Sequence, residues 1–265
     1  MRLVIKLNCT EYSRYEMQYH YLLQGFIYNL LKGSKYDYIH DKEGYKFFCF
    51  SNIFPASDLK KNDPRTMIIS SPDNEFITYL HEALQGRDKR EIKIGCMKFR
   101  LDYIDKLDRN VPHNRPVTLI TGTPIIVRIP SKKYREHEIT PENEYEYIYW
   151  RSDHPIELFI SLVESSLLHK YSKYQEAKNA IKTTEIIKLA SQRSSIPFFQ
   201  RFKFKKQIST RIFMKGSEQV VIGTVWEFRF TVNLYNRDII QFALDCGLGE
   251  RNSLGFGFMN LLVSQ

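Results

Sequence analysis

The densest chemistry in the sequence lies in the stretch Gly247-Leu248-Gly249-Glu250-Arg251-Asn252-Ser253-Leu254-Gly255-Phe256-Gly257. Two Gly-apolar-Gly clamps flank five residues, one of them an arginine. Glycine reaches positive φ without steric cost and has no Cβ, so backbone N–H groups beside it can approach a large ligand closely. Exposed N–H groups with an arginine among them suit anionic oxygens, phosphate above all. A dinucleotide fingerprint would need glycine at position 252, where Asn252 stands, with a βαβ unit downstream. A Walker A loop would need Gly-Lys-Ser/Thr, which is absent. An isolated clamp reads equally well as a turn before a last strand; the doubled clamp with a basic spacer favours the anion-binding loop.

A second candidate is Arg201-Phe202-Lys203-Phe204-Lys205-Lys206, with Arg211 and Lys215 further on. A strand's period of two puts Arg201, Lys203 and Lys205 on one face and Phe202 and Phe204 on the other. Alone, that is a half-buried strand with a solvated charged face. Beside the glycine loop and the overall charge, it reads as a strand that tracks phosphates. Nearer the start, Tyr28 lies off the apolar stripe of its helix, on the face of Gln24, Gly25 and Lys32. His40 follows in a loop and Lys46 six residues later. Taken singly, these are a surface tyrosine and a solvated histidine. Asp41 is placed to orient His40. The other histidines (His20, His81, His113, His137, His154 and His169) read as structural or solvated, with His20, near the helix start, the next to test.

The 265 residues carry 39 basic and 30 acidic side chains, a net charge of +9 that suits an anionic partner. Both halves are basic, which argues against a charged tail on a neutral body. Cys9, Cys49, Cys96 and Cys246 are scattered without a CxxC pair, so a zinc site or disulfide framework is not expected. No apolar run approaches the ~18 residues that would span a membrane. The N-terminal residues enter an alternating pattern directly, without signal-peptide shape, so the expectation is a soluble, reduced, cytoplasmic protein.

The elements that must position these residues follow from periodicity. Leu3, Ile5 and Leu7 alternate with polar or exposed positions as a first strand. Leu22, Leu23, Phe26, Ile27, Leu30 and Leu31 have helical spacing over 17–33, ended by Gly33-Ser34. Strands are expected at Lys46–Phe50 and Thr66–Ser70, a helix from Ser71-Pro72-Asp73 to about Gly86, and a strand or hairpin over Glu91–Leu107. Val117–Ile129 is strand-rich but broken at Thr121-Gly122-Thr123-Pro124, which suggests the domain junction. Ser131–Trp150 reads as a connecting loop. A helix at 155–172, strands at about 200–214 and 219–232 turning at Lys215-Gly216-Ser217, a helix at 236–246 and a strand Phe258–Val263 complete the order. Each half is β-α-β-β-α-β, so the predicted class is α+β, two tandem ferredoxin-like (RRM-like) domains, 1–122 and 123–265.

The start Met1-Arg2-Leu3-Val4-Ile5-Lys6-Leu7, the segment Leu23-Gln24-Gly25-Phe26-Ile27-Tyr28-Asn29, the His40-to-Lys46 spacing and the loop Gly247–Gly257 resemble the Cas6 family. These are RAMP-superfamily endoribonucleases that cut CRISPR precursor transcripts within each repeat to release guide RNAs. The likeness runs in order along nearly the whole chain, although 131–195 matches no motif. It implies two ferredoxin-like domains and a catalytic set of Tyr28, His40 and Lys46, with no metal and no cofactor. The implied RNA-binding set is Arg201, Lys203, Lys205, Arg211, Gly247, Gly249, Arg251, Asn252, Ser253, Gly255 and Gly257. Implied partners are the repeat RNA and other CRISPR effector subunits, with the chain a monomer or homodimer and no membrane.

Cleavage by this route uses the ribose 2′-hydroxyl as nucleophile on the adjacent phosphorus and leaves a 2′,3′-cyclic phosphate and a 5′-hydroxyl. On the resemblance, His40 is the general acid, Tyr28 positions or deprotonates the 2′-hydroxyl, and Lys46 stabilises the phosphorane charge. A tyrosine is a poor base unless a cation lowers its pKa, so Tyr28 and His40 could exchange roles. The competing class is a non-catalytic RNA-binding RAMP subunit, which would keep the loop and the basic strand but need no Tyr–His–Lys set.

Overall fold

Strand β1 (Arg2–Cys9) buries Leu3, Ile5, Leu7 and Cys9 on one face, as its alternation requires. The computed structural model describes residues 1–86, 91–112, 115–141, 145–178, 199, 201–214, 216–233 and 236–262. Helix α1 (Tyr19–Leu31) buries Leu23, Ile27, Leu30 and Leu31, and the chain leaves it through Gly33 at φ 74. Strand β2 is only Cys49–Phe50, shorter than the five residues expected. Phe47 adopts φ 52, outside the extended region, which keeps Lys46 and Phe47 off the ladder.

After β3 (Pro64–Ser70), helix α2 (Asn74–Gln85) starts where Asp73 Oδ1 accepts from the N–H groups of Glu75 and Phe76 at 3.1 and 3.4 Å. Strands β4 (Glu91–Ile94) and β5 (Met97–Leu107) form a hairpin across Gly95, at φ 59. The sheet order is β2-β3-β1-β5-β4 with antiparallel pairing, the ferredoxin-like arrangement with one added edge strand. Its core joins Leu3, Ile5 and Leu7 to Ile27 of α1, to Phe76 and Leu80 of α2, and to Phe48 and Phe99.

The second sheet has the order β11-β6-β10-β9, from β6 (Pro116–Thr121), β9 (Arg201–Met214), β10 (Ser217–Thr231) and β11 (Met259–Leu262). Helices α3 (Ile156–Ala177) and α4 (Arg237–Cys246) complete a second β-α-β-β-α-β set. Its core is aromatic: Phe159 of α3 stacks on Trp226 of β10 with centroids 4.4 Å apart, and Trp150, Phe199, Phe228 and Phe230 surround them. Two ferredoxin-like domains in tandem are therefore the architecture.

The chain groups into two units, Met1–Arg109 with Arg211–Gln219 and Asn252–Gly255, and Asn110–Thr210 with Val220–Arg251 and Phe256–Gln265. The division at 109/110 replaces the junction expected at 122/123. The reason is pairing: β6 lies between β10 and β11, so its residues belong with the second sheet. The expected loop at 131–150 contains two 3-10 turns and a short strand, β8 (Tyr147–Tyr149), which pairs antiparallel with β7 (Arg128–Pro130) just before the loop. The expected turn residue Lys215, the strand end Val263 and His113 lie outside the described residues.

Candidate active site

Helix α1 carries Tyr28 beside its apolar stripe, so the ring is half-buried and its hydroxyl faces the loop that follows. That loop is shaped early: Asp37 Oδ2 accepts from the Gly33 N–H at 2.9 Å, and Asp37–Ile39 form a 3-10 turn with Ile39 buried. His40 closes the turn, its N–H donating to the Asp37 carbonyl. Phe48, buried beneath, meets Tyr28 edge-on at 6.4 Å and Phe76 at 5.6 Å. Lys46 is thereby turned inward. Its Nζ donates to the Tyr28 hydroxyl at 2.8 Å and to the His40 carbonyl at 2.8 Å, and it stands 4.8 Å from the Tyr28 ring centre. The His40 and Tyr28 rings meet edge-on with centroids 5.1 Å apart. Tyr28, His40 and Lys46 share one locus, drawn from a helix, a turn and an extended loop.

The His40 ring is exposed and its Nδ1 lies 2.6 Å from Asp41 Oδ1, so the neighbouring carboxylate fixes the ring and leaves Nε2 to solvent. Burial pushes the Tyr28 phenol well above its ordinary pKa, with a Ser253 hydrogen bond acting in the opposite sense. Burial lowers the Lys46 ammonium, opposed by Asp41 and reinforced by Lys42. A phenol held neutral, accepting from an ammonium, keeps its own proton for donation. That speaks against Tyr28 as the base and for a positioning hydroxyl.

The glycine loop is closely bonded and packed from within. Gly247, Gly249, Gly255 and Gly257 are buried, and only positions 250–253 between the clamps are partly exposed. The loop's N–H groups are largely taken up internally: Gly247 donates to Ala243, Leu248 to Gly257, Glu250 to Ile126, Gly255 to Asn252 and Gly257 to Pro124. A Cβ on Gly249 would stand 2.5 Å from the Ile126 carbonyl oxygen, and one on Gly255, at φ 81, would stand 2.4 Å from Phe50 Cε2. At Gly249 and Gly255 close internal packing by itself leaves no room for a Cβ. On β9, Arg201, Lys203, Lys205 and Arg211 are exposed as their period demands. Lys205 pairs with Glu227 at 2.7 Å and Arg211 with Glu218 at 3.4 Å. Phe204 packs on Trp226 at 5.2 Å, while Phe202 remains 37% exposed, less inward than expected.

Lys170 and Arg128 escaped the residue pattern, whereas the sequence itself singles out His20 as the next histidine to test. Lys170 is buried in α3 and donates to the Gly247 and Gly249 carbonyls at 2.9 and 3.1 Å. Its signal was available, since Val163, Leu167 and Lys170 follow one another on the apolar stripe, where a lysine needs partners. Arg128 lies over the Tyr147 ring at 4.5 Å and pairs with Glu250. His20, 3% exposed, directs Nδ1 at the Leu254 carbonyl 2.7 Å away and stacks on Tyr19 at 4.2 Å.

A family model described as CRISPR associated protein Cas6, C-terminal, matches residues 107–261, more than half of the chain. The chain is 29% identical over 263 residues to the CRISPR-associated endoribonuclease Cas6 2 of Methanocaldococcus jannaschii, covering 98% of this chain and 99% of that protein. It is 29% identical over 266 residues to the CRISPR-associated endoribonuclease Cas6 of Haloferax mediterranei, covering 99% and 94%. A solved structure described as a RAMP protein binding different RNA substrates superposes with a TM-score of 0.70 at 20% identity, over 99% of this chain and 100% of that one. Another, described as CRISPR associated protein Cas6, gives 0.68 at 20% identity, and at such identities the likeness speaks for the fold. With the family model spanning nearly all of the second domain and relatives aligned end to end, the chain belongs to the Cas6 family of CRISPR-associated proteins.

Proposed function

We propose that this chain is an endoribonuclease that cuts CRISPR precursor RNA within each repeat, without a metal, by attack of a ribose 2′-hydroxyl on the adjacent phosphorus. The observation that carries the reading is the Lys46 ammonium, which binds the Tyr28 hydroxyl and the His40 carbonyl at once. In the reaction the 2′-O–P bond forms and the P–O5′ bond breaks. His40 gives a proton to O5′, and the 2′-hydroxyl proton passes to water. Tyr28 donates its phenol proton as a hydrogen bond that orients the reacting phosphate, and Lys46 opposes the charge that builds on the phosphorane oxygens. The products are a 2′,3′-cyclic phosphate and a 5′-hydroxyl.

RNA binding falls to the exposed cations Arg201, Lys203 and Arg211 of β9, together with Lys205, Arg251 and Asn252. The buried glycines support the loop's shape. Family relatives that bear the endoribonuclease name along their full length support the same reading. Single-turnover cleavage of a transcript of the CRISPR repeat from the chain's own genome tests it. Lys46→Ala should slow cleavage roughly 100-fold or more, while Lys42→Ala leaves it near the parent rate. Equal losses in the two variants would mean that general charge, not the Lys46 bridge, drives the reaction.

A further inference from the structure

The strand pair β7–β8 carries two of the closely spaced tyrosines of 145–149 on a face that the cleavage reading leaves unused. In its antiparallel register Arg128 pairs with Tyr149 and Pro130 with Tyr147. Alternation sends Ile129, fully buried, inward and puts Arg128, Tyr147 and Tyr149 on the opposite face. Arg128 and Tyr147 are then diagonal neighbours, within reach of a long side chain and a ring. The guanidinium carbon stands 4.5 Å from the Tyr147 ring centre, and Tyr149 meets Tyr147 edge-on with centroids 5.8 Å apart. Glu250 fixes the cation from a second direction: its Oε1 accepts from the Arg128 backbone N–H at 3.2 Å and its Oε2 accepts from Arg128 Nε. Glu250 is itself held, its backbone N–H donating to the Ile126 carbonyl at 2.9 Å. With one face against Tyr147 and one edge against Glu250, the Arg128 side chain is still 41% exposed.

We propose that Arg128 and Tyr147 form a stacking shelf for one unpaired base of the RNA. The inference rests on the RNA-binding reading above and adds to it a contact to a base, where β9 offers contacts to phosphates. An arginine held between an aromatic ring and a carboxylate presents a planar, weakly hydrated cation, which attracts the π-face of a base. Its long side chain is already ordered by Glu250 and Tyr147, so little conformational freedom is lost when a base arrives. The Glu250 carboxylate cancels the net charge of the arginine, so the shelf suits a base better than a phosphate. A base inside a double helix has both faces covered by its neighbours, so the nucleotide that stacks here is single-stranded.

The test measures equilibrium binding of the repeat transcript by the full chain at several salt concentrations. The fluorescent base 2-aminopurine is placed in turn at each unpaired position of the transcript. With the parent, at least one position should lose fluorescence on binding, as a stacked base does. Tyr147→Ala and Arg128→Lys should each weaken binding roughly 5- to 100-fold and abolish that quench. The slope of log Kd against log salt should stay at the parent value, because no phosphate contact is lost. Arg128→Lys keeps the charge, so its loss isolates the planar group; Tyr147→Phe keeps the ring and should bind as the parent does. Thermal unfolding shows which variants are folded, and Arg128→Lys suffices where Tyr147→Ala is not. Parent-like binding by both variants, no quenched position, a quench that survives both, or a lowered salt slope would overturn the inference and leave the RNA-binding reading in place. A Tyr147→Phe chain as weak as Tyr147→Ala would also overturn it. A parent protein that binds no RNA overturns the RNA-binding reading, and this inference with it.

Discussion

The buried His20 makes the first domain acid-sensitive in a way that can be worked out in advance. Burial lowers its pKa to about 4, opposed by the hydrogen bond to the Leu254 carbonyl. In the unfolded chain the imidazole returns to its ordinary value near ~6.5. Above that pH both states are neutral and the group contributes nothing to the pH dependence. Below it the unfolded state takes up a proton that the native state refuses, so stability falls as pH drops. The loss grows by about 1.4 kcal/mol per pH unit and levels off near the native value, at roughly 3 kcal/mol in all. Urea titrations of the parent and of His20→Gln at pH 7.5, 6.5, 5.5 and 4.5 isolate this contribution, because the carboxylates shared by the two chains cancel in the difference. Glutamine can still donate to the Leu254 carbonyl but carries no titratable ring. The parent should lose stability faster than the variant below pH 6.5, the difference reaching roughly 2.5 kcal/mol at pH 4.5. Parallel curves over that interval would refute the claim that His20 is held neutral under the loop tip.

Two further outcomes bear on the loop and the basic strand. Gly255→Ala combines positive φ with a Cβ 2.4 Å from Phe50, whereas Gly216→Ala has positive φ and open space. Thermal or chemical unfolding should show a loss of roughly 2–4 kcal/mol for the first and about 1 kcal/mol for the second; equal losses would remove the packing argument. Arg201→Ala with Lys203→Ala should weaken binding of the repeat transcript and reduce the slope of log Kd against log salt by about 1.4, as for two lost contacts to single-stranded phosphates. This pair is the cleaner choice because Lys205 is engaged with Glu227.

The order of elements was legible because strands and helices here follow their periods: β1 and α1 bury the residues their spacing selects. The junction was not, since β6 finds its partners Glu227–Thr231 and Met259–Leu262 more than a hundred residues away. The length of β2 was hidden by a single backbone angle at Phe47. At the site, Tyr28, His40 and Lys46 drew attention through family resemblance more than through chemistry, because a helix tyrosine, a loop histidine and a lysine are each ordinary. What unites them is the Lys46 bridge, a tertiary contact that spacing does not encode. The internal packing of the glycine loop was not legible for a physical reason: a residue without a Cβ serves close approach to a ligand and close approach to Phe50 or Ile126 equally well. Lys170 carried its own signal, a cation on an apolar stripe, and only its acceptors, the Gly247 and Gly249 carbonyls, had to come from the fold.

The central claim is that cleavage proceeds by internal 2′-hydroxyl attack assisted by His40. The most direct measurement is cleavage of the repeat transcript in excess chelator by the parent and by His40→Ala, with the new RNA ends identified by mass spectrometry. The account predicts that the parent cuts and leaves a 2′,3′-cyclic phosphate opposite a 5′-hydroxyl. It predicts that His40→Ala is about 10²- to 10⁴-fold slower at nearly unchanged affinity. Activity abolished by the chelator, a 3′-hydroxyl end, or a His40→Ala chain that cuts at the parent rate would contradict it.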